Sequence, residues 1–168
     1  MLSQERLRIL DVAHSLLGIP SNKYRGPDVG NNREWLDCSG LVQLCILEAE
    51  IGLPQRLGSD RPLRHANEFF EFYGKPLHEG YFQEGDIVFF SRKFTKVTHL
   101  GIVTSSDTMI HAPGIDGGVV ETASIEELSQ RYSTNLPEEN FQRHFSKNPV
   151  GYRGLIKYVS QQRWQKII

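Results

Sequence analysis

Cysteine is scarce in this chain of 168 residues: there are two, Cys38 and Cys45, only seven positions apart. On one helix, rising 1.5 Å per residue, their Cα atoms would stand about 10 Å apart, beyond the roughly 7 Å span of a disulfide. A disulfide-stapled scaffold is therefore excluded, and two free thiols remain to be explained. Long apolar runs are missing too. None approaches the roughly 20 residues that a membrane-spanning helix needs, and the opening MLSQERLRILDVAHSLLGIP places Glu5 and Asp11 where a secretory signal is basic and then apolar. Excess charge of either sign is absent, with 19 Lys and Arg against 20 Asp and Glu giving a net charge of −1. That balance argues against a protein whose main work is gripping a nucleic-acid backbone. It hides an asymmetry, because residues 141–168 carry Arg143, Lys147, Arg153, Lys157, Arg163 and Lys166 and no acidic side chain. These six are spaced along the tail, which reads as a solvated basic edge. With no internal repeat, low-complexity tract or linker, residues 1–168 read as a single domain.

What is present is a run of helical patterns followed by a run of short strands. Ser3 is placed to cap a first helix whose apolar stripe is Leu7, Ile9, Leu10, Ala13, Leu16 and Leu17, stopped by Gly18 and Pro20. Residues 21–36 are rich in Gly, Asn and Pro and read as a long loop, of the length that tends to carry function. A stronger helix is predicted from Cys38 to Ile51, and a third over 61–73 behind Asp60 and Pro62. After Gly74 the period changes to two. GDIVFF (85–90), THLGIVT (98–104), TMIHA (108–112), GVVETA (118–123) and YRGLIKYV (152–159) read as strands, with Ser124 and Glu127 able to cap a short helix. Helices first and strands after predict an α+β fold with an antiparallel sheet.

Cys38 stands in DCSGLV at the start of the second predicted helix. Unpaired N–H groups and the helix dipole there favour an anion, so its thiol is expected to shift toward thiolate. Asp37, Ser39 and Gly40 look unlike the neighbours of a core cysteine, whereas Cys45 falls on the apolar stripe and reads as core. Of six histidines, strand parity singles out two. If the hairpin turns around Ser105 with a three-residue loop, His99 and His111 lie directly opposite on one face. One imidazole can then take the thiol proton while the other orients it. His14, His65, His78 and His144 read as ordinary surface or satisfied residues. The same Cys38, His99 and His111 could ligate zinc, but no second cysteine or HxxxH pair gives the close spacing that anchors such a site. The GNN at 30–32 with Asp28 lacks the alternating acidic ligands of a calcium loop.

In this order, DCSGLV (37–42), GDIVFF (85–90), HLGIV (99–103) and MIHAPG (109–114), with a looser LP at 53–54, make the chain resemble the NlpC-type cysteine peptidases of bacterial cell walls, the family of NlpC and p-sixty. The resemblance covers about residues 20–125. It implies a papain-like NlpC-type fold, with N-terminal helices packed on a central antiparallel β-sheet. It implies Cys38 as nucleophile, His99 as general base and His111 as the polar third member, with Tyr24, Asp37 and Ser39 contacting substrate. It also implies hydrolysis of peptidoglycan stem peptides or muropeptides at the bond between γ-D-glutamate and the following diamino acid, without metal or organic cofactor. Two departures stand out: YRGPDVGNN replaces the family's usual Tyr/Trp-Gly-Gly run, and the segment 55–77 is longer and more aromatic than usual. Many relatives carry a signal peptide or a wall-binding domain related to Src-homology modules. With neither read here, the expectation is a cytoplasmic enzyme of muropeptide recycling or one exported by a non-classical route. Two rival readings remain: acyl-transfer or amidase chemistry on the same fold, and a non-catalytic wall-binding module. The order Cys, His, His counts against lipid-acyltransferase relatives, in which a histidine precedes the cysteine.

Overall fold

A computed structural model of the chain describes residues 2–22, 33–52, 55, 61–73, 75–77, 82–90, 97–133 and 150–154. Helix α1 (Gln4–Ser15) starts where Ser3 accepts a hydrogen bond from the Arg6 backbone N–H at 3.4 Å. It buries Ile9, Leu10 and Ala13, with Leu16 behind them, but Leu7 and Leu17 are exposed, so the apolar stripe is narrower than the sequence predicts. Helix α2 (Cys38–Glu48) is capped by Asp37, whose Oδ1 accepts from the Gly40 N–H at 2.7 Å. Every residue from Ser39 to Ile46 is buried, so this helix runs inside the core rather than along its edge. It ends before the predicted Ile51, as Glu50 turns to φ +56°. Helix α3 (Ala66–Phe72) begins later than the predicted 61. The Glu68 carboxylate accepts from the backbone N–H groups of Arg64 and His65 at 2.8 and 3.1 Å, and these bonds set the helix start there.

The strands are β1 (Pro20–Ser21), β2 (Lys75–Leu77), β3 (Ile87–Phe90), β4 (His99–Val103), β5 (Thr108–His111), β6 (Gly118–Val119), β7 (Glu121–Ser124) and β8 (Val150–Gly154). Six of them form one antiparallel sheet in the order β2-β8-β3-β4-β5-β7, and β1 pairs with β6 separately. The predicted strand GVVETA is thus two strands. They part at Val120, which is buried and leaves the sheet to exchange hydrogen bonds with α1's exit: its N–H donates to the Ile19 carbonyl and its carbonyl accepts from Gly18. β1 and β2, at two and three residues, are too short to show a period. β8 starts at Val150, earlier than predicted, and the predicted strand's residues 155–159 lie outside the described residues, as does most of the basic tail.

Both faces of the sheet are covered. Ile87, Phe89, Leu100, Ile102 and Ile110 turn toward the helices, where α2 packs on β4, while Val88, Phe90, Val103 and Met109 turn to Ile125 and Leu128 of α4 (Ile125–Ser133). Each position of β3 and β4 is therefore buried, which is why IVFF and HLGIV are nearly unbroken apolar runs. Arg6 ties α1 to the segment leading into β3 through an ion pair with the buried Asp86 at 2.6 Å and a hydrogen bond to the Glu84 carbonyl at 2.8 Å. Gly85 between them has φ +85°, and a Cβ there would sit 3.2 Å from Cβ of Arg6. Among the described residues no helix is long and apolar enough to cross a membrane.

Candidate active site

Cys38 is the first residue of α2 and is half-buried at the junction of that helix with β4. Its sulfur faces the backbone N–H groups of Leu100 and Ser39, which favour thiolate, as does the Arg64 guanidinium. Burial and then the neighbouring Asp37 carboxylate outweigh them and push the thiol up to about 12. The shift toward thiolate that the helix start alone predicts is therefore reversed. The sequence also misjudged the setting, because Asp37, Ser39 and Gly40 are all buried. Cys45 is fully buried, its thiol is pushed up by burial, and neither cysteine is in a disulfide.

His99 opens β4, one residue from the Leu100 amide that faces the sulfur, and His111 closes β5. His99 Nε2 and His111 Nδ1 are 2.8 Å apart, with the rings nearly perpendicular at 86° and their centroids 5.0 Å apart. Both side chains are buried. The hairpin has the expected three-residue loop, but it is Ser105, Ser106 and Asp107, with the Thr104 N–H donating to the Thr108 carbonyl at 2.9 Å. Ser105 Oγ accepts from the N–H groups of Asp107 and Thr108, which centres the turn on Ser106 rather than Ser105. Ile102 consequently pairs with Ile110, and His99 meets His111 diagonally instead of directly opposite. The shift keeps both on one face, and the longer diagonal is bridged because Gly101, between them, has no side chain.

Residues 28–139 match the family described as NlpC/P60. The chain belongs to the NlpC/P60 family. Solved structures with the same fold include the NlpC/p60 domain of the peptidoglycan hydrolase SagA, at 17% identity and TM-score 0.56, covering 89% of this chain and 98% of that one. A lipoprotein-like NLP/P60 protein of Staphylococcus aureus subsp. aureus Mu50 is 24% identical at TM-score 0.59 over 93% of this chain, and this chain spans 43% of it. NlpC2 of Trichomonas vaginalis is 21% identical at TM-score 0.60, with coverage of 95% of this chain and 49% of that one. Among curated proteins, none matches significantly.

Two further side chains of this NlpC/P60 chain join the site, and the sequence pointed to neither. Arg64 lies in the long segment 55–77 and reaches back to the cysteine helix, where its Nη1 donates to Asp37 Oδ1 at 3.1 Å and Ser39 Oγ at 2.8 Å and its Nη2 donates to Asp37 Oδ2 at 2.5 Å. Asp37 thus caps α2 and holds Arg64 with the same carboxylate. Glu121, at the start of β7, is the cross-strand partner of His111, and its Oε1 lies 3.5 Å from His111 Nε2. Knowing which strand follows β5 in the sheet would have revealed it. The remaining assignments separate cleanly. His14 bonds the Leu10 carbonyl within α1 and His65 caps α3, while Tyr24, His78 and His144 lie outside the described residues. No three His, Cys, Asp or Glu side chains among the described residues are grouped to hold a metal ion. A groove of about 490 Å³ runs between Pro20–Asn22, Glu34–Trp35 and Asp116–Gly118. Cys38, His99 and His111 do not line it.

Proposed function

We propose that this NlpC/P60 member is a cysteine peptidase that hydrolyses peptidoglycan stem peptides at the bond between γ-D-glutamate and the following diamino acid. The observation that carries the reading is the buried His99–His111 pair, 2.8 Å between ring nitrogens, one residue along β4 from the amide facing the Cys38 sulfur. The peptidoglycan hydrolase SagA shares the fold. A thiol held up at about 12 is a weak nucleophile at neutral pH, so it needs a base within reach. His99 takes the Cys38 proton as the sulfur attacks the scissile carbonyl, and His111 holds the His99 ring in place. N–H groups at the start of α2 take up the charge on the carbonyl oxygen. The C–N bond then breaks, His99 returns its proton to the leaving amine, and a thioester to Cys38 remains. Water, deprotonated by His99, splits that thioester, and the proton goes back to the sulfur. Tyr24, Asp37 and Ser39 contact the peptide in this reading. Because Asp37 and Ser39 are both bonded to Arg64, a peptide at that corner also meets the guanidinium.

Mass spectrometry of products from defined tri-, tetra- and disaccharide-linked muropeptides tests the reaction and the bond together. Wild type should cut between γ-D-glutamate and the diamino acid, and Cys38→Ala and His99→Ala should leave the substrates intact. Cleavage by Cys38→Ala, or abolition of wild-type cleavage by a chelator, would sink the proposal.

A further inference from the structure

Glu121 and His111 are cross-strand partners at the edge of the sheet, where β7 follows β5. One carboxylate oxygen of Glu121 stands 3.5 Å from His111 Nε2, while the other nitrogen of that ring, Nδ1, is 2.8 Å from His99 Nε2. A neutral imidazole has one donor nitrogen and one acceptor, so the two contacts of His111 are linked. When His99 holds the proton of Cys38, both of its nitrogens carry hydrogen, and its Nε2–H has to donate. His111 Nδ1 must then be bare, and the His111 proton must sit on Nε2, facing Glu121. A carboxylate only accepts, so it stabilises that tautomer and no other.

We propose that Glu121 is a positioning residue that holds His111 in its Nε2–H tautomer and so keeps Nδ1 ready to accept from His99. The inference rests on the proposed roles of Cys38 and His99 and extends their series by one group. Glu121 is half exposed, with 52% of its side chain open to solvent. Water competes for its carboxylate, and the expected effect is a bias on the tautomer rather than an all-or-none lock.

The test combines ring 15N NMR of His111 with steady-state hydrolysis of a defined muropeptide by full-length wild type, Glu121→Ala and Glu121→Gln. In wild type His111 should show a bare Nδ1 and a protonated Nε2. Glu121→Ala should move part of the population to the Nδ1–H form and lower kcat about tenfold with KM unchanged, the size of the hydrogen bond to a charged group that the 3.5 Å contact becomes when it closes in the reacting enzyme. Glu121→Gln, whose amide oxygen still accepts, should recover most of both. An unchanged His111 tautomer with unchanged kcat in Glu121→Ala overturns the proposal, and so does a Gln variant as impaired as the Ala variant. Cys38→Ala and His99→Ala, run in parallel, report on the underlying mechanism. If they remain active that mechanism fails, whereas if they are inactive and Glu121→Ala behaves as wild type, the role of Glu121 alone is lost.

Discussion

Gly101 and His111 lie so close across the β4–β5 pair that a Cβ on Gly101 would stand 3.2 Å from Cβ of His111 and 2.7 Å from the Ile110 carbonyl oxygen. The second distance is a clash with backbone, which a rotamer change cannot relieve. Gly101→Ala should push β5 away or twist it, costing about 1–3 kcal/mol as overpacking does in a filled core. The same movement should open the 2.8 Å contact between the histidine rings. Urea unfolding and muropeptide hydrolysis measure the two effects separately, and activity per folded molecule should fall more than stability alone explains. A variant with wild-type unfolding and wild-type turnover would show that the strand pair absorbs a methyl group.

Asp37 and Arg64 act on the Cys38 thiol in opposite directions, the carboxylate raising it and the guanidinium lowering it. Their separate contributions are visible in alkylation. In a His99→Ala background at fixed pH 8, the rate of iodoacetamide labelling at Cys38 follows the thiolate fraction. Asp37→Asn keeps an acceptor for the Gly40 N–H and removes the charge, so it should lower the thiol and speed labelling severalfold. Arg64→Gln should raise the thiol and slow labelling. Equal shifts of one sign in both variants, or no shift in either, would contradict this electrostatic picture.

Local patterns were enough for the helix-then-strand order, the Ser3 cap, the start of α2 and the face shared by His99 and His111. They were not enough wherever a distant group decided the outcome. Val120 splits a strand because α1's exit takes its hydrogen bonds, and α3 starts at Ala66 because Glu68 captures the Arg64 and His65 amides. The turn moved by one residue because Ser105 bonds forward to Asp107 and Thr108, a choice between neighbouring serines that spacing leaves open. Cys38 does begin α2 as its spacing predicts, yet burial and an adjacent carboxylate reverse the direction of its shift. Arg64 and Glu121 come to the site through tertiary folding, the first from a segment without a motif and the second through the strand order.

Arg6 and Asp86 pair at 2.6 Å with 14% and 1% of their side chains exposed, and they join the first helix to the strand that leads into the core of the sheet. Arg6→Ala would leave a buried carboxylate without its cation, although the Gln83 N–H still donates to Asp86 Oδ2 at 2.7 Å. Breaking one side of such a pair costs about 3 kcal/mol, most of it the penalty of the stranded charge. Asp86→Asn strands the guanidinium instead, which can turn outward to water from its partly open position, so its cost should be smaller. The double variant Arg6→Ala/Asp86→Asn leaves no buried charge and should be more stable than the sum of the single losses allows. A double-mutant cycle by urea unfolding therefore predicts a coupling above about 1 kcal/mol. Additive losses would mean that Arg6 holds α1 through its bond to the Glu84 carbonyl and its packing against Gly85, and that the charge on Asp86 matters little to the joint.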